Sequence, residues 1–257
     1  MLGLELCFAL VSSLALAAPA PTATAAAMDA GKTFAASTTF SFAGKTLPTG
    51  LRKSSGLISD PDFLSHNFAK KNVAVKGGYL QLTVPGGQTG DVISSAEVYT
   101  DFNVKYGSVR TWAILTETPG VCNGMFFYKT DSQETDIEWI SDPDSLSNKD
   151  SPSGGRELQY TNQALNGNNE DNTHAYGPAP KDVTSAVHEY RIDWTADSTK
   201  YYLDGVLQHT MTDNVPNVAG PWVWNNWANG DPNWTADPPK TNAVFKIQKI
   251  EMYYNPA

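Results

Sequence analysis

The sequence predicts an all-β protein, built as a sandwich of two antiparallel sheets. From about residue 64 onward, short runs rich in β-branched and aromatic residues alternate with clusters of Gly, Pro, Asn and Asp. The same region shows no helical periodicity of useful length. Asp204 and Gly205 lie between two such runs, and this pair suits the left-handed dihedrals of a two-residue hairpin turn. Many short strands joined by tight turns favour two packed sheets.

Length and composition favour one large domain. The chain has 257 residues, of which 40% are hydrophobic, so it can bury a sizeable core. Since β-sandwiches of this size commonly form a single domain, we interpret residues 36–257 as one domain, which would carry the functional site.

The N-terminus predicts a secretory leader. Residues 1–17 hold an apolar run that ends in Ala15-Leu16-Ala17, a small-x-small pattern that signal peptidases cut. Residues 18–35, rich in Ala, Pro and Thr, are interpreted as a linker or a disordered start. No Lys or Arg precedes the apolar run and Glu5 stands there instead, which leaves a non-targeting leader or a misassigned start as the alternative. We expect a secreted protein, extracellular or in the cell wall.

The charge balance argues against a polyanionic partner. The formal net charge is −9, the pI is about 4.8, and no basic run is longer than Lys70-Lys71. Nucleic acid is therefore not expected as a partner. After the leader, no segment approaches the roughly 20 apolar residues that span a bilayer, so we expect no membrane partner either. A monomer is expected.

The cysteine count predicts no internal disulfide. Cys7 leaves with the leader, so only Cys122 remains. A lone Cys without a motif around it is typical of a buried small hydrophobic residue.

Residues 131–141, DSQETDIEWIS, place three acids at alternate positions: Glu134, Asp136 and Glu138. In a strand, alternate side chains share one face, so the acids share one face and the intervening Thr, Ile and Trp share the other. Strands are depleted in Asp and Glu, and like charges on one face repel. A functional role would account for this unfavourable arrangement.

The spacing of the two Glu residues suits glycoside hydrolysis. Four residues of strand separate the Cα atoms of Glu134 and Glu138 by roughly 13 Å. If each side chain leans inward by about 3–4 Å, the carboxyl groups approach the roughly 5–5.5 Å of a retaining glycosidase. An inverting enzyme needs about 6.5–9.5 Å, and the spacing alone leaves both mechanisms open.

The three acids cannot all stay ionised near neutral pH. We expect the cluster to hold a shared proton and to titrate as a coupled set, which is how one site supplies both an acid and a nucleophile. The main alternative is a calcium-binding acidic loop. Calcium loops draw oxygens from turns with Gly and Asn, whereas Ile137, Trp139 and Ile140 are strand formers.

The segment ETDIEW resembles the E-[ILV]-D-x-E signature of glycoside hydrolase family 16. This family contains bacterial lichenases, laminarinases, plant xyloglucan endotransglycosylases and fungal cell-wall transglycosylases. The resemblance continues on both sides of the signature and covers roughly residues 64–255 in the family's order. The similar segments are SAEVYTDFNVKYGSVRTWAIL, VHEYRIDWTADSTKYYLDGVLQHT and WVWNNWANGDPNW.

The resemblance implies a β-jelly-roll sandwich whose concave sheet forms a cleft for a glucan chain. It also implies that Glu134 is the nucleophile, that Glu138 is the acid/base and that Asp136 assists. One residue separates Asp136 from Glu138, which is similar to the regular strand of lichenases and the transglycosylases. Laminarinases carry an extra residue there, which makes a bulge.

Four residues are candidates for binding the sugar. Glu97 of SAEV and Trp227 of NNW match substrate-contacting residues of the family, and Asn162 and Asn225 are the amides interpreted as ligands of hydroxyl groups. Aromatic faces suit the apolar C–H surface of sugars. The alternatives are a core position for Trp227 and a turn or strand-end role for each Asn. Three further tryptophans are assigned to the core: Trp112, Trp139 and Trp194.

The sequence departs from lichenases at three positions that matter for the cleft and for metal binding. Tyr99 stands where they have an Arg, and Ser132 where they have a Trp, so the chemistry near the cleavage point differs. Gln248 stands where they have a calcium-ligating Asp, which leaves a structural calcium unsupported. We expect no cofactor, no catalytic metal and no counterpart of the lichenase disulfide.

The function expected from the sequence is a retaining endo-acting glycoside hydrolase that cleaves β-1,3/1,4-linked glucan by double displacement. A cell-wall glucan transglycosylase would use the same site, with a sugar hydroxyl in place of water. A non-catalytic lectin-like domain is the alternative from another class, although a lectin would not need both Glu residues. The expected partner is a β-glucan polysaccharide.

Overall fold

A computed structural model describes residues 34–257 of the protein. The predicted leader at residues 1–17, its Cys7 and nearly all of the predicted linker lie outside the described residues. The described part forms seventeen strands, one short α-helix, α1 (Leu146–Lys149), and two single-turn 3-10 helices (Lys70–Asn72 and Asn169–Asp171). The strands are β1 (Ala36–Ser41), β2 (Leu51–Lys53), β3 (Gly56–Ile58), β4 (Ser65–Phe68), β5 (Val73–Lys76), β6 (Tyr79–Val84), β7 (Val92–Thr100), β8 (Val104–Ile114), β9 (Cys122–Thr130), β10 (Gln133–Ile140), β11 (Leu158–Asn162), β12 (Thr173–Gly177), β13 (His188–Trp194), β14 (Thr199–Leu203), β15 (Val206–Met211), β16 (Trp222–Trp227) and β17 (Ala243–Pro256).

The strands form two packed sheets, which confirms the predicted sandwich. The first sheet has the order β15-β14-β13-β8-β17-β6-β5, with β1 also paired to β17. The second has the order β12-β11-β10-β9-β16-β7-β4-β3, with β2 also paired to β7. Sequential strands are often not neighbours, as expected of a jelly roll whose chain crosses repeatedly between sheets.

The core lies between the two sheets and is built from alternate residues of each strand. Fully buried aromatic side chains from both sheets meet there, as when Phe127 of β9 packs 4.2 Å from Trp194 of β13, measured between ring centroids. Trp139 and Trp194 are buried, as predicted. Trp112 is not: it lies half-buried on the outer face of β8, where Lys249 Nζ sits 3.7 Å from its ring centroid. Strand parity explains the error, since its neighbours Thr111 and Ala113 take the inward positions.

The predicted hairpin at Asp204 and Gly205 is present between β14 and β15. Both residues have positive φ, 49° and 76°, as the predicted turn requires.

Not every strand pair is antiparallel as predicted. β4 runs parallel to β7, and β3 pairs with β4 at the end of the second sheet. The loop between β3 and β4 is tied to the body of the sandwich because Asn229 Nδ2 donates a hydrogen bond to Asp60 Oδ2 at 3.1 Å. β3, β4 and this loop therefore form a fixed rim of the sheet.

None of the helices found in residues 34–257 is both long enough and apolar enough to cross a bilayer.

Candidate active site

A cleft lies on the outer face of the second sheet, opposite the core. Its volume is about 510 Å³. Its walls come from β3, β4, β7, β9, β10 and β16, together with the segments that precede β3 and β10. The lining residues are Ser54, Ser55, Gly56, Ile58, His66, Phe68, Glu97, Phe126, Tyr128, Asp131, Glu134, Glu138, Val223, Asn225 and Trp227.

The acidic strand β10 lies inside the second sheet, paired on both sides, and forms one end of the cleft. Its register with β9 is continuous from Glu134 to Ile140, and Glu138 lies opposite Gly124 on β9 and Gln159 on β11. The prediction that no extra residue interrupts the strand between Asp136 and Glu138 is confirmed. The irregularity in the pairing with β9 comes earlier, between Gln133 and Glu134.

The core face of β10 fixes which way the acids point. Thr135 Oγ1 and the Tyr201 hydroxyl of the first sheet are 2.8 Å apart, within hydrogen-bond distance. Trp139 Nε1 donates to the Thr116 carbonyl at 2.9 Å, and Ile137 is 1% exposed. A register slip of one residue would bury three carboxyl groups among these core side chains, so the alternation specifies the orientation strongly.

The three acids form one electrostatically coupled group. Burial is the largest influence on each, and it raises the pKa of Glu134 to about 8 and that of Glu138 to about 7. Burial, followed by repulsion from both Glu residues, raises the pKa of Asp136 well above its usual range. Glu134 and Asp136 also share a side-chain hydrogen bond. The group therefore retains protons near neutral pH, as the sequence predicted.

Cys122 contacts Glu138 directly. The Cys122 side chain is fully buried, as predicted, and its thiol donates to Glu138 Oε1 at an S···O distance of 3.2 Å. Burial raises the pKa of this thiol well above its usual value, so it stays protonated and can act as a donor. A weak donor aimed at a carboxylate favours the ionised form of Glu138. No pattern in the sequence indicates this contact, which depends on Cys122 and Glu138 lying on adjacent strands.

Asn162 does not line the cleft, contrary to the prediction that it binds substrate. It lies opposite Thr135, so it shares the core face, and its side chain is fully buried. Its Oδ1 accepts hydrogen bonds from Thr199 Oγ1 and from the Tyr201 hydroxyl, each at 2.9 Å. Its Nδ2 donates to the Asp213 carbonyl at 2.9 Å. Asn162 therefore ties the two sheets together.

The amide that reaches the acids is the next residue, Gln163. Its Nε2 donates to Asp136 Oδ2 at 3.4 Å, and its backbone N–H donates to the Glu134 carbonyl at 3.2 Å. Asn162 pairs with Thr135, whose side chain faces the core, so alternation turns the next side chain, that of Gln163, toward the acids.

Glu97, Asn225 and Gly124 form a second polar group beside the acids. Glu97 Oε1 accepts a hydrogen bond from Ser54 Oγ at 2.6 Å, and Asn225 Nδ2 donates to Glu97 Oε2 at 3.4 Å. Asn225 Oδ1 accepts from the Gly124 N–H at 3.1 Å, and a Cβ at residue 124 would lie only 2.6 Å from that oxygen. Gly124 thus permits the close approach of Asn225. Burial raises the pKa of Glu97 to about 7.

Trp227 lies in the cleft as predicted and is half-buried. Its ring is 4.9 Å from the His66 ring, measured between centroids, at an interplanar angle of 31°. Among the lining residues that the sequence did not predict are Tyr128 and Asp131, and the Tyr128 hydroxyl donates to Asp131 Oδ1 at 2.7 Å. The structure therefore gathers six of the seven candidate residues. Their chemical roles stay predictions.

No Lys or Arg is among the side chains that line the cleft, whereas four acids are. In the part of the chain that the structure describes, no group of three or more His, Cys, Asp or Glu is arranged to hold a metal ion. The expectation that no cofactor is needed stays a prediction.

Comparison with known families identifies the group to which this architecture belongs. The model of glycosyl hydrolases family 16 matches residues 62–245. The chain belongs to glycosyl hydrolases family 16. This membership confirms the resemblance carried by residues 134–139 and the flanking segments.

Relatives of the chain include a beta-glucanase of Fibrobacter succinogenes, which is 25% identical over 197 residues that make up 72% of this chain and 55% of the relative. Another is Congo red hypersensitive protein 1 of Saccharomyces cerevisiae, 25% identical over 138 residues, or 52% of this chain and 25% of the relative. The chain thus spans less than two thirds of the length of these curated relatives.

Solved structures of this family 16 fold share the whole sandwich. A lichenase from a mouse hindgut metagenome has a TM-score of 0.68 at 19% identity and covers 86% of this chain and 99% of its own. The Bacillus licheniformis beta-glucanase has a TM-score of 0.66 at 20% identity and covers 83% of this chain and 97% of its own. At these identities the likeness shows the fold.

Proposed function

We propose that this family 16 protein is a retaining, endo-acting glycoside hydrolase that cleaves β-1,3/1,4-linked glucan. The observation that carries the proposal is the group of three carboxyl groups on the outward face of one strand, with Asp136 buried and both half-buried Glu side chains, Glu134 and Glu138, in an open cleft. Burial without a cation among the lining residues keeps protons on this group, and a group that is part protonated and part ionised is what double displacement requires.

In the first step, the reactive form of the coupled group is the one in which Glu134 has lost its proton while Asp136 and Glu138 keep theirs. The Glu134 carboxylate then attacks the anomeric carbon, and the bond from that carbon to the glycosidic oxygen breaks. Glu138 gives its proton to the departing oxygen, which leaves as a sugar hydroxyl. In the second step, Glu138 takes a proton from water, whose oxygen attacks the same carbon and releases Glu134. Asp136 shares a hydrogen bond with Glu134, so a proton on Asp136 can stabilise the Glu134 carboxylate before attack.

The charge of the cleft supports a neutral substrate. Glu97, Asp131, Glu134 and Glu138 face the same space without a lining Lys or Arg. A polysaccharide that carries carboxylates or sulfates would be repelled there, whereas a glucan is uncharged. Aromatic side chains from β9 and β16, among them Phe126 and Trp227, supply apolar surface for the C–H faces of the sugar.

Relatives named beta-glucanase support glucan as the polymer. The beta-glucanase of Bacillus amyloliquefaciens is 33% identical over 87 residues, which are 34% of this chain and 34% of the relative. The enzyme from a mouse hindgut metagenome is a beta-1,3-1,4-glucanase. The linkage in our proposal rests on these names and on the signature, together with the neutral cleft.

The second candidate activity is transfer of the glycosyl group to another sugar. Transfer uses the same glycosyl-enzyme on Glu134, and it differs only in that a sugar hydroxyl replaces water in the second step. A lectin-like role is disfavoured because a binding site gains nothing from three adjacent carboxyl groups whose ionisation is opposed by partial or full burial.

Purified protein incubated with lichenan, laminarin and xyloglucan tests both activities. We expect glucan to be cut internally, with retained anomeric configuration in the first product seen by NMR. Added labelled oligosaccharide acceptors will report transfer. Glu134→Gln and Glu138→Gln should each lower kcat by on the order of 10³-fold or more.

The matched control is Glu251→Gln, which removes a carboxylate on the outer face of the first sheet, paired there with Lys249. It should turn over like the wild type. Wild-type activity in both Glu134→Gln and Glu138→Gln would refute the mechanism, and binding of glucan by the wild type without any turnover would favour the lectin.

A further inference from the structure

His66 lies on β4, in the wall of the cleft beyond Glu97. It is 9% exposed and lines the cleft together with Trp227 and Phe68. Its ring packs against Trp227 in a tilted stack at 4.9 Å and meets the edge of Phe68 at 5.1 Å, both measured between centroids. Aromatic contacts on two sides hold the imidazole in one orientation.

The imidazole of His66 has an unsatisfied polar atom. Its Nδ1 is buried and has no hydrogen-bond partner in the described part of the chain. Leaving a buried polar atom unpaired costs free energy, on the order of 1–3 kcal/mol, so such atoms are rare in folded proteins. A pure packing position would favour Phe, which has similar shape and no such atom.

The surroundings of His66 keep it neutral and define its donor. Burial lowers the pKa of His66 to about 4, against an opposing influence from Asp60. A neutral imidazole has one N–H donor and one acceptor nitrogen. Because Nδ1 is enclosed without an acceptor for a proton, the tautomer with the proton on Nε2 is favoured. Nε2 is then the nitrogen left to donate into the cleft.

We propose that His66 and Trp227 form a sugar-binding subsite away from the bond that is cleaved, in which His66 Nε2–H donates to a hydroxyl of a glucosyl unit that packs on the Trp227 ring. This inference rests on the proposed function, since it takes the ligand to be a neutral glucan chain. It adds His66 as a residue that selects and positions that chain.

The position of β4 makes His66 a binding residue and not part of the bond-breaking machinery. Three strands, β9, β16 and β7, separate β4 from the acidic strand β10. At about 4.8 Å for each step, the two strands are on the order of 19 Å apart along the sheet. Only an oligosaccharide of several units can contact the acids of β10 and His66 together.

The chemistry of this subsite fits a hydroxyl better than an ion. His66 is neutral, so it does not attract an anion, and Glu97 lies in the same cleft and would repel one. Phe68, Trp227 and Ile58 provide apolar surface around a single donor, which is the pattern of carbohydrate recognition.

The test measures binding and turnover on glucan oligosaccharides of increasing length. Binding is measured by calorimetry in the Glu134→Gln background, where the ligand is not consumed, and kcat/KM is measured in the wild-type background. His66→Phe keeps the ring and its packing but removes the donor. His66→Gln returns an amide N–H near the position of Nε2. His209→Phe, on the first sheet, is the matched control.

We expect His66→Phe to weaken binding of the longest oligosaccharides by about 3- to 10-fold, with a loss that grows with chain length and appears in KM more than in kcat. His66→Gln should recover most of it, and His209→Phe should match the wild type. The melting temperature of His66→Phe should not fall, because it loses an unpaired buried nitrogen.

Equal affinity of His66→Phe and the parent at every length would overturn the subsite, as would a loss that is the same at all lengths. Either result, obtained while the wild type still cleaves glucan, leaves the proposed function standing. Length-dependent binding that requires His66, in a protein without any turnover, would refute the hydrolase and support the subsite. A wild type that neither binds nor cleaves glucan would refute both.

Discussion

The two faces of β10 differ in how their polar groups are satisfied. On the core face, the hydroxyl of Thr135 and the indole N–H of Trp139 each meet a partner within 2.9 Å, and Ile137 is fully packed. On the cleft face, Asp136 is as enclosed as a core residue and Glu138 is half-buried, yet their partners are a thiol for Glu138, and a long amide contact and the Glu134 carboxyl group for Asp136. The core face lowers the free energy of the folded state, and the cleft face raises it.

This difference shows that the core-facing residues of β10 stabilise the fold, whereas its cleft-facing residues are the candidates for catalysis. The core face holds β10 in register, so the cleft face can keep carboxyl groups in an environment that opposes their ionisation. Changes on the two sides should therefore have opposite signatures: loss of stability on one, and loss of activity with unchanged or increased stability on the other.

The largest expected effect on stability comes from breaking the core face. Ile137→Ala should lower the free energy of unfolding by about 2–5 kcal/mol, because it leaves a cavity between the sheets. Urea unfolding followed by tryptophan fluorescence measures this. Ile137→Val is the matched control, with a loss of about 0.5–1.5 kcal/mol. A loss below that of Ile137→Val would contradict the assignment of this face to the core.

Asn162→Ala should have the next largest effect on stability, because the Asn162 side chain, on the core side of β11, hydrogen-bonds to residues of the first sheet. Removing its side chain leaves the Thr199 and Tyr201 hydroxyls without their acceptor. The free energy of unfolding should therefore fall by about 1–3 kcal/mol. Thermal unfolding and glucan KM should be measured on the same sample. A raised KM without a change in melting temperature would instead support a substrate-binding role for Asn162.

The cleft face should make stability fall as the pH rises. The folded state holds the protons of Glu134, Glu138 and Glu97 up to pKa values of about 7–8, whereas the model value for an unfolded Glu is 4.5. The stabilising contribution is complete below the unfolded pKa and is lost as the pH passes through the folded pKa. Between about pH 6.5 and 8.5, the free energy of unfolding should drop by about 1–3 kcal/mol.

Glu134→Gln sharpens this pH test, because it removes one of the three titrations. The drop should be smaller in Glu134→Gln, and the variant should be more stable than the wild type at the alkaline end. The window starts at about pH 6.5 because His66, whose pKa burial lowers, contributes the opposite slope below it. An identical drop in both proteins would show that Glu134 is not held protonated by the fold.

The smallest expected effect, on the pH profile of activity, comes from Cys122. This residue is buried like a core residue, yet it contacts Glu138 on the cleft face. Cys122→Ala removes the thiol donor to Glu138 and should raise the pKa of Glu138, so the alkaline limb of the kcat profile moves upward by a fraction of a pH unit, up to about one. Cys122→Ser keeps a donor and should move the limb less or in the other direction. Superimposable profiles for all three proteins would mean that the thiol only fills space.

Strand alternation explains both the successes and the failures of prediction from the sequence. The alternation of acids with Thr, Ile and Trp predicts the orientation of β10, and the Asp-Gly pair predicts the hairpin at residue 204. Trp112 is assigned to the core from the sequence without a parity argument, and parity along β8 puts it outside. Asn162 was chosen by residue type, whereas its pairing with Thr135 turns it inward and leaves Gln163 to contact the acids.

Other features depend on contacts between strands distant in sequence. β1 to β3 lie before residue 64 in segments with little hydrophobic alternation, and their pairing with β17, β7 and β4 decides that they are strands. The contact of Cys122 with Glu138 and that of His66 with Trp227 arise from sheet order, which no local pattern in the sequence specifies.

The rim formed by β3, β4 and the loop anchored through Asp60 has a consequence for how such a groove can diversify. In the proposed mechanism, bond breaking is confined to β10, while the far wall of the cleft is joined to β7 through one parallel strand, β4. An insertion or deletion between residues 54 and 64 would lengthen or shorten the trough without displacing the acids. Preference for polymer length can therefore evolve independently of reactivity.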